Sequence, residues 1–123
     1  MTTPKLSLPE LSVSQAGKEL THNHALDRLD QIAQLNVLDR HLTAPPGVPA
    51  DGNAYIVAAT ATGAWAGKEG QIAYWRDDAA LWDFLVPADG WRTWVADEST
   101  HYRRSAGTWL LDAAGGVQCI AVA

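Results

Sequence analysis

Residues 71–111 decide the fold, and they read QIAYWRDDAALWDFLVPADGWRTWVADESTHYRRSAGTWLL. The stretch divides into short runs rich in aromatic and β-branched residues, and Gly, Asp, Ser or Pro separates one run from the next. Two similar runs flank it, NAYIVAAT at 53–60 and VQCIAVA at 117–123. Several short strands at this spacing predict an antiparallel β-meander or a small sandwich. We expect VQCIAVA to pair as the last strand.

Alternation along the strands predicts which sides are buried. In LWDFLVP, residues 81–87, Trp82, Phe84 and Val86 share a face opposite Asp83. Successive side chains of a strand point to opposite faces of the sheet. These strands are therefore expected to have one clearly buried side.

All six tryptophans lie between Trp65 and Trp109. A sheet of short strands has little room for a deep core, and an indole buries on the order of 200 Å², so core filling is the first interpretation. The alternative is that some indoles are exposed and stack on sugar rings. Trp65 and Trp91 are the candidates for glycan stacking, because both adjoin glycines that let a ligand approach closely.

A helix is predicted before the strands. In THNHALDRLDQIAQLNVLD, residues 21–39, apolar residues recur every three or four positions, which is typical of one apolar helical face. Ser12 and Gln15 fit a capping box, so the helix is expected to begin near Val13 and to end near Asn36. One kinked helix or two both fit, and we favour one. The apolar face comprises Ala25, Leu26, Leu29, Ile32, Ala33 and Asn36 or Val37, and Asp27, Arg28, Asp30 and Gln31 lie on the other face.

Proline and glycine divide the chain into three parts. Residues 1–11 hold two prolines, which favour an extended docking arm. The segment LTAPPGVPADGN has three prolines and two glycines, a composition typical of a stiff linker. We therefore expect an α+β chain: an extended arm with an oligomerisation and docking helix over 1–42, a linker over 43–53 and a Trp-rich antiparallel β domain over 54–123.

Charge and composition exclude several classes of protein. The chain has 14 acidic and 9 basic residues, a net charge of -5, which disfavours nucleic acid as a partner. Cys119 is the only cysteine, so no disulfide can form within the chain. The sequence lacks the apolar core of a signal peptide and the roughly 18 apolar residues of a membrane span. We expect no signal peptide and no membrane insertion.

No motif for catalysis, metal or cofactor binding is evident. His22 and His24 diverge by about 200° on a helix, so they are poorly placed to share a metal ion. The string GAWAGKEG at 63–70 lacks the spacing of a phosphate-binding loop, and its glycines are expected to form a turn between strands. Neighbouring acids at 77–78 and 97–98 are interpreted as turn formers. We expect no enzyme activity, no metal and no cofactor.

Residues 8–75 and 84–97 resemble a family of uncharacterised domains in tailed phages, prophages and gene transfer agents of alphaproteobacteria. The family reads approximately as LPYL-x3-QAQKHVTHNEAL-x2-LD, then TAPP, then YIV-x4-TGAWAG-x4-IA-x-W, then P-x2-GW. This chain differs at Gly17, where Gln is usual, and at His24, where an acid is usual. The matching residues are Leu8, Pro9, Gln15, Ala16, Lys18, Thr21, His22, Asn23, Ala25, Leu26, Asp30, Tyr55, Ile56, Val57, Gly63, Trp65, Gly67, Ile72, Ala73, Trp75, Gly90 and Trp91.

The resemblance implies a virion component of the tail-fibre or spike type, made in the host cytoplasm. The short chain favours a spike base, fibre adaptor or decoration protein. We expect a homo-oligomer, a trimer first and a pentamer second, that also contacts other virion proteins. The alternative is a carbohydrate-binding module that recognises a host-surface glycan through exposed aromatic residues. The predicted assembly interface comprises Leu6, Leu8, Leu11, His22, Leu26 and Leu29.

Overall fold

The computed structural model describes residues 2–10 and 18–112. Within these residues the chain forms one α-helix followed by seven strands, which confirms the predicted α+β class. The elements are α1 (Lys18–Ala33), β1 (Asn36–Val37), β2 (Ala54–Ile56), a 3-10 turn (Gly63–Trp65), β3 (Ile72–Arg76), β4 (Leu81–Leu85), β5 (Arg92–Val95), β6 (Thr100–Ser105) and β7 (Thr108–Leu111). The predicted helix start near Val13 with its capping box at Ser12 and Gln15, interface residue Leu11, Cys119 and the predicted strand at 117–123 lie outside the described residues.

The strands form two sheets that follow the predicted meander. One sheet has the order β2-β3-β4, and the other has the order β1-β5-β6-β7. Every pairing is antiparallel except that of β1 with β5. A hydrogen bond of 2.8 Å from the Leu38 N–H to the Ala54 carbonyl connects the two sheets beside β1.

The predicted helix end is wrong by about one turn. α1 ends at Ala33, and Asn36 and Val37 pair in parallel with Trp94 and Val95 of β5. Val37 continues the apolar pattern of the helix, but it lies in a strand and its side chain is fully buried in the core. The first part of the chain therefore contributes a strand to the β structure.

The three-stranded sheet is buried on both faces, which corrects the expectation of one buried side. Its first face joins the main core with Ile56, Ile72 and Leu85, alongside Val95 from the other sheet. Its second face carries a smaller cluster built on Tyr55, Val57, Trp65 and Ala73, with Trp82 and Phe84 packed against it. Val86 was predicted to share that face, but it is 71% exposed because β4 ends at Leu85.

The loop at 63–70 is the turn that the sequence predicted. Gly63 and Gly70 have φ angles of 65° and 82°, and residues with a Cβ rarely adopt such positive φ values. The loop carries Trp65 into the second core cluster. It also places the Gly70 carbonyl 2.8 Å from the Trp109 indole nitrogen, which donates to it. The turn therefore holds the two sheets together.

Residues 2–10 do not form the expected extended arm. Thr2 and Pro9 form an antiparallel bridge, and the Thr3 N–H donates to the Leu8 carbonyl at 3.0 Å. The segment is a closed loop packed against α1, and Thr3 is 1% exposed. The loop folds back because its Thr3 hydroxyl and two of its N–H groups donate hydrogen bonds to the buried Asp30 carboxylate on α1.

Candidate functional site

The helix α1 has its polar face toward the protein interior. Asn23, Asp30 and Gln31 are 8%, 0% and 1% exposed, and the Asp27 side chain is 14% exposed. The sequence predicts an apolar face that carries Leu26 and Leu29 of the assembly interface, with Asp27, Asp30 and Gln31 on the other face. The two faces are present, but the burial of the polar face was not predicted.

Hydrogen bonds from the N-terminal loop account for the buried polar face. Asp30 accepts hydrogen bonds from the Thr3 hydroxyl at 2.6 Å and from the Lys5 and Leu6 N–H groups at 2.9 and 2.5 Å. The Lys5 ammonium donates to the Gln31 side-chain oxygen at 2.8 Å, and burial lowers the pKa of Lys5 to about 8. Buried polar groups are stable only when they are paired in this way.

A second polar network attaches α1 to β4. The His24 ring nitrogen lies 2.5 Å from the Asp83 carboxylate, and the Tyr74 hydroxyl donates to the same carboxylate at 3.0 Å. Arg28 donates to the Phe84 carbonyl at 3.2 Å. Burial opposes ionisation of Asp83, but hydrogen bonds from the Phe84 N–H, His24 and Tyr74 outweigh it and lower its pKa. Both networks fix the rotation of α1 about its axis.

The apolar face of α1 consequently points away from the core. Leu29 is 51% exposed and Ile32 is 38% exposed, and Ala25 and Ala33 beside them are also exposed. We call these four residues the outer face of α1. Leucine and isoleucine on a helix normally pack against the core. An apolar stripe that faces outward therefore indicates a surface that contacts a partner.

Five of the six predicted interface residues lie in the described part of the chain. His22 and Leu29 are exposed on α1, and Leu26 is half-buried at the border of its outer face. In the N-terminal loop, Leu6 is 38% exposed and Leu8 is half-buried. Sequence reasoning missed Ile32, although its position in the apolar repeat gave the same signal as that of Leu29.

Trp65, the first glycan-stacking candidate, is fully buried, so that prediction is wrong. Its ring centroid lies 5.7 Å from that of Tyr55 and 5.2 Å from that of Trp82, inside the second core cluster. The glycines beside it close a turn instead of opening a binding surface. Trp91, the second candidate, is half-buried and packs against the main core.

Trp94 is the indole that the fold leaves exposed, and it was not among the predicted glycan-stacking residues. It is 37% exposed on β5, where Arg92 and Trp94 alternate with the buried Thr93 and Val95. This alternation was a readable signal for an outward indole. Trp94 lines an open groove of about 510 Å³ between the C-terminal end of α1 and the outer surface of β5 and β6. We call it the Trp94 groove.

A smaller cavity of about 300 Å³ lies between the N-terminal loop, α1 and the end of β3. Its carboxylates bond within the protein: Asp77 accepts from the Trp75 indole, and Asp78 pairs with Arg76 at 3.2 Å. Burial raises the pKa of Asp27 to about 7, and a hydrogen bond with Glu10 adds to the shift. The carboxylates of this cavity therefore have a structural role, since they bond to neighbouring groups of the protein.

The described residues contain neither a cluster of metal ligands nor a helix that could span a membrane. Across residues 2–10 and 18–112, no group of three or more His, Cys, Asp or Glu side chains is arranged to hold a metal ion. The helix in that part of the chain falls short of the length and apolarity needed to cross a membrane.

Within residues 2–10 and 18–112, the fold and the outer face of α1 define a small α+β protein with an exposed apolar helix surface. The chain belongs to a family of proteins of unknown function, DUF2793, whose model matches residues 22–110. No curated protein matches the chain. Membership of an uncharacterised family is thereby confirmed, and the link to phage particles stays a prediction.

Proposed function

We propose that the chain is a structural component of a phage or gene-transfer-agent particle, which assembles through the outer face of α1. The observation that carries the proposal is the orientation of the helix: Leu29 and Ile32 face solvent while Asp30 is fully buried. The sequence resemblance described above supports the particle as the setting.

Energetics favour a covered outer face. Fully burying a leucine or isoleucine side chain contributes about 1.5–3 kcal/mol, and none of the described residues, 2–10 and 18–112, buries Leu29 or Ile32 completely. The polar networks at Asp30 and Asp83 hold the helix in this orientation, so it cannot rotate to bury Leu29 without breaking them. A second copy with the same face, or another particle protein, would supply the burial.

A trimer about the outer faces of three α1 helices is the arrangement that we favour, and a pentamer is the second choice. Homo-oligomers with closed symmetry are the usual way for a chain to cover one apolar patch on every copy. The half-buried Leu26 and the exposed Leu6 would lie at the margin of such an interface.

Self-association is tested by placing charge on the outer face. The double variant Leu29→Glu/Ile32→Glu should be monomeric in sedimentation equilibrium, whereas the natural chain should be oligomeric. Leu81→Glu is the matched control, because Leu81 is 44% exposed on β4 and should leave the oligomer intact. A natural chain that stays monomeric at high concentration would refute assembly through this face.

The particle role has its own test. Particles purified from a producing strain should contain the chain in fixed stoichiometry with the other structural proteins, as measured by quantitative mass spectrometry. The chain's absence from purified particles would overturn the particle role and leave self-association standing.

A further inference from the structure

The indole of Trp94 is partly exposed and packs against one neighbouring ring. Trp94 on β5 lies directly opposite His101 on β6, and their ring centroids are 4.9 Å apart at an interplanar angle of 70°. The edge-to-face contact fixes the indole without covering it. A flat apolar surface of this kind matches the C–H face of a sugar ring.

Beside the indole, two arginines share one carboxylate. Arg92 Nε lies 2.5 Å from Asp112 Oδ2, and Arg103 Nε lies 3.7 Å from Asp112 Oδ1. The arginine side chains are 58% and 41% exposed, while that of Asp112 is 18% exposed. The three formal charges leave a local excess of one positive charge in a chain whose net charge is -5. This corner therefore attracts an anionic group.

The spacing of the two features fits one sugar unit. Arg92 and Trp94 stand two residues apart on the same face of β5, which separates their Cα atoms by about 7 Å. Ile32, Leu35 and Asn36 form the opposite wall of the groove. Its volume of about 510 Å³ lies within the range of about 300–1,000 Å³ that is usual for small-ligand sites.

We propose that the Trp94 groove binds an acidic pyranose, such as a uronic acid unit of an oligosaccharide. The sugar ring stacks on the Trp94 indole, and its carboxylate accepts hydrogen bonds from Arg92, which lines the groove, while Arg103 opposite Arg92 adds positive charge. His101 holds the indole in place and acts as a positioning residue. A free inorganic anion would not use the indole, and a neutral sugar would not use the excess charge.

The test titrates the full chain with an oligogalacturonide, and with a neutral galactose oligomer of the same length, while amide and indole NMR shifts are followed. The acidic oligomer should shift the Trp94 and His101 signals and bind at least about fivefold more tightly than the neutral one. That preference should fade as salt rises, because the charges are exposed. Absence of shifts in the groove with either oligomer would overturn the proposal.

Variants separate the two contributions. Trp94→Ala should weaken binding of both oligomers by about tenfold, which corresponds to about 1.4 kcal/mol. Arg92→Gln should remove the preference for the acidic oligomer while leaving the neutral one unchanged. Leu81→Ala, which changes an exposed apolar side chain on β4, should bind like the natural chain. Unchanged affinity in Trp94→Ala would exclude stacking.

The groove adjoins the outer face of α1 through Ile32, so a second copy of the chain is the competing occupant. The single variant Leu29→Glu, which leaves Ile32 in the groove wall, should still bind the acidic oligomer at a concentration where sedimentation equilibrium shows that this variant is monomeric. If Trp94→Ala instead abolishes self-association and sugar binding is absent, the groove is part of the assembly interface and the sugar proposal is wrong.

Discussion

The Asp30 carboxylate on α1 lies 2.6 Å from the Thr3 hydroxyl, and both side chains are closed to solvent. The same carboxylate accepts hydrogen bonds from the Lys5 and Leu6 N–H groups. One side chain therefore closes the N-terminal loop and keeps the polar face of the helix inside. Leu29 precedes Asp30 by one residue, about 100° around the helix, and it is 51% exposed.

Asp30→Ala should lower the free energy of unfolding by about 3 kcal/mol, because it leaves three donors of a buried loop without their acceptor. Urea denaturation followed by circular dichroism measures the change. Asp97→Ala, at an exposed turn position, is the control and should stay within about 0.5 kcal/mol of the natural chain. Equal stability of the Asp30 and Asp97 variants would contradict the role of Asp30 as the anchor of the loop.

Gly52→Ala should destabilise the same region from the opposite side. Gly52 has a φ of 84°, and an added Cβ would lie 2.6 Å from Pro4 Cγ. The clash and the backbone strain together should cost about 2 kcal/mol, measured as a lower urea midpoint. Gly47→Ala is the matched control, since a Cβ there meets nothing within 4 Å.

A double variant distinguishes the two costs at Gly52. Pro4→Gly in the Gly52→Ala background should recover part of the stability lost in Gly52→Ala, measured against Pro4→Gly alone, because it removes the Cγ and Cβ contacts at 2.6 and 2.8 Å but not the strained φ. No recovery would mean that the φ angle accounts for the whole loss.

The β structure could be predicted from sequence because its signals are local. Runs such as QIAYWR at 71–76 alternate and end at turn residues, and β3 (Ile72–Arg76) occupies that run. The two-residue β1 had no such signal, since Asn36 and Val37 continue the helical repeat. A parallel pairing with β5, which follows them by more than 50 residues, is visible only after folding.

The burial of the polar face of α1 could not be predicted, because periodicity gives two faces and not the side on which the core lies. Apolar residues usually decide that side, but here Thr3, Lys5 and Gly52 satisfy the polar face from inside. Those donors and acceptors come from distant positions in the sequence. The choice of Trp65 as an exposed indole was wrong for a similar reason: its glycine-rich loop folds over the second face of a sheet.

Asp27 gives the chain a stability that depends on pH. Burial raises its pKa from the model-compound value of 3.8 to about 7, so between these values the folded protein holds a proton that the unfolded chain has lost. This contribution to stability is present at acidic pH and is lost as the pH rises through about 7. Asp27→Asn should therefore gain stability relative to the natural chain at pH 8 and not at pH 4.

Thermal unfolding of both proteins across pH 4–8 tests this prediction. The difference between their melting temperatures isolates the contribution of Asp27 from those of the other groups in the chain. Asp97→Asn is a control at an exposed carboxylate outside this cavity, and its melting temperature should follow that of the natural chain across the range. A difference between Asp27→Asn and the natural chain that stays constant across the range would contradict the raised pKa.

Truncation of Trp65 should cost much more stability than truncation of Trp94. Trp65 is fully buried against Tyr55 and Trp82, so Trp65→Ala should leave a cavity and cost about 3–5 kcal/mol of unfolding free energy. Trp94 is 37% exposed on the outer face of the sheet, and Trp94→Ala should cost about 1 kcal/mol. Urea denaturation of both variants measures the contrast.

Trp65→Phe refines the comparison. The Trp65 indole nitrogen is buried and has no hydrogen-bond partner among the residues that the structure describes. Phenylalanine removes that unpaired N–H while keeping an aromatic ring, so the loss of packing is partly offset and the variant should be clearly more stable than Trp65→Ala. If Trp65→Phe were as unstable as Trp65→Ala, the indole nitrogen would have to be bonded in solution, and the cost at this position would be a lost hydrogen bond as well as a cavity.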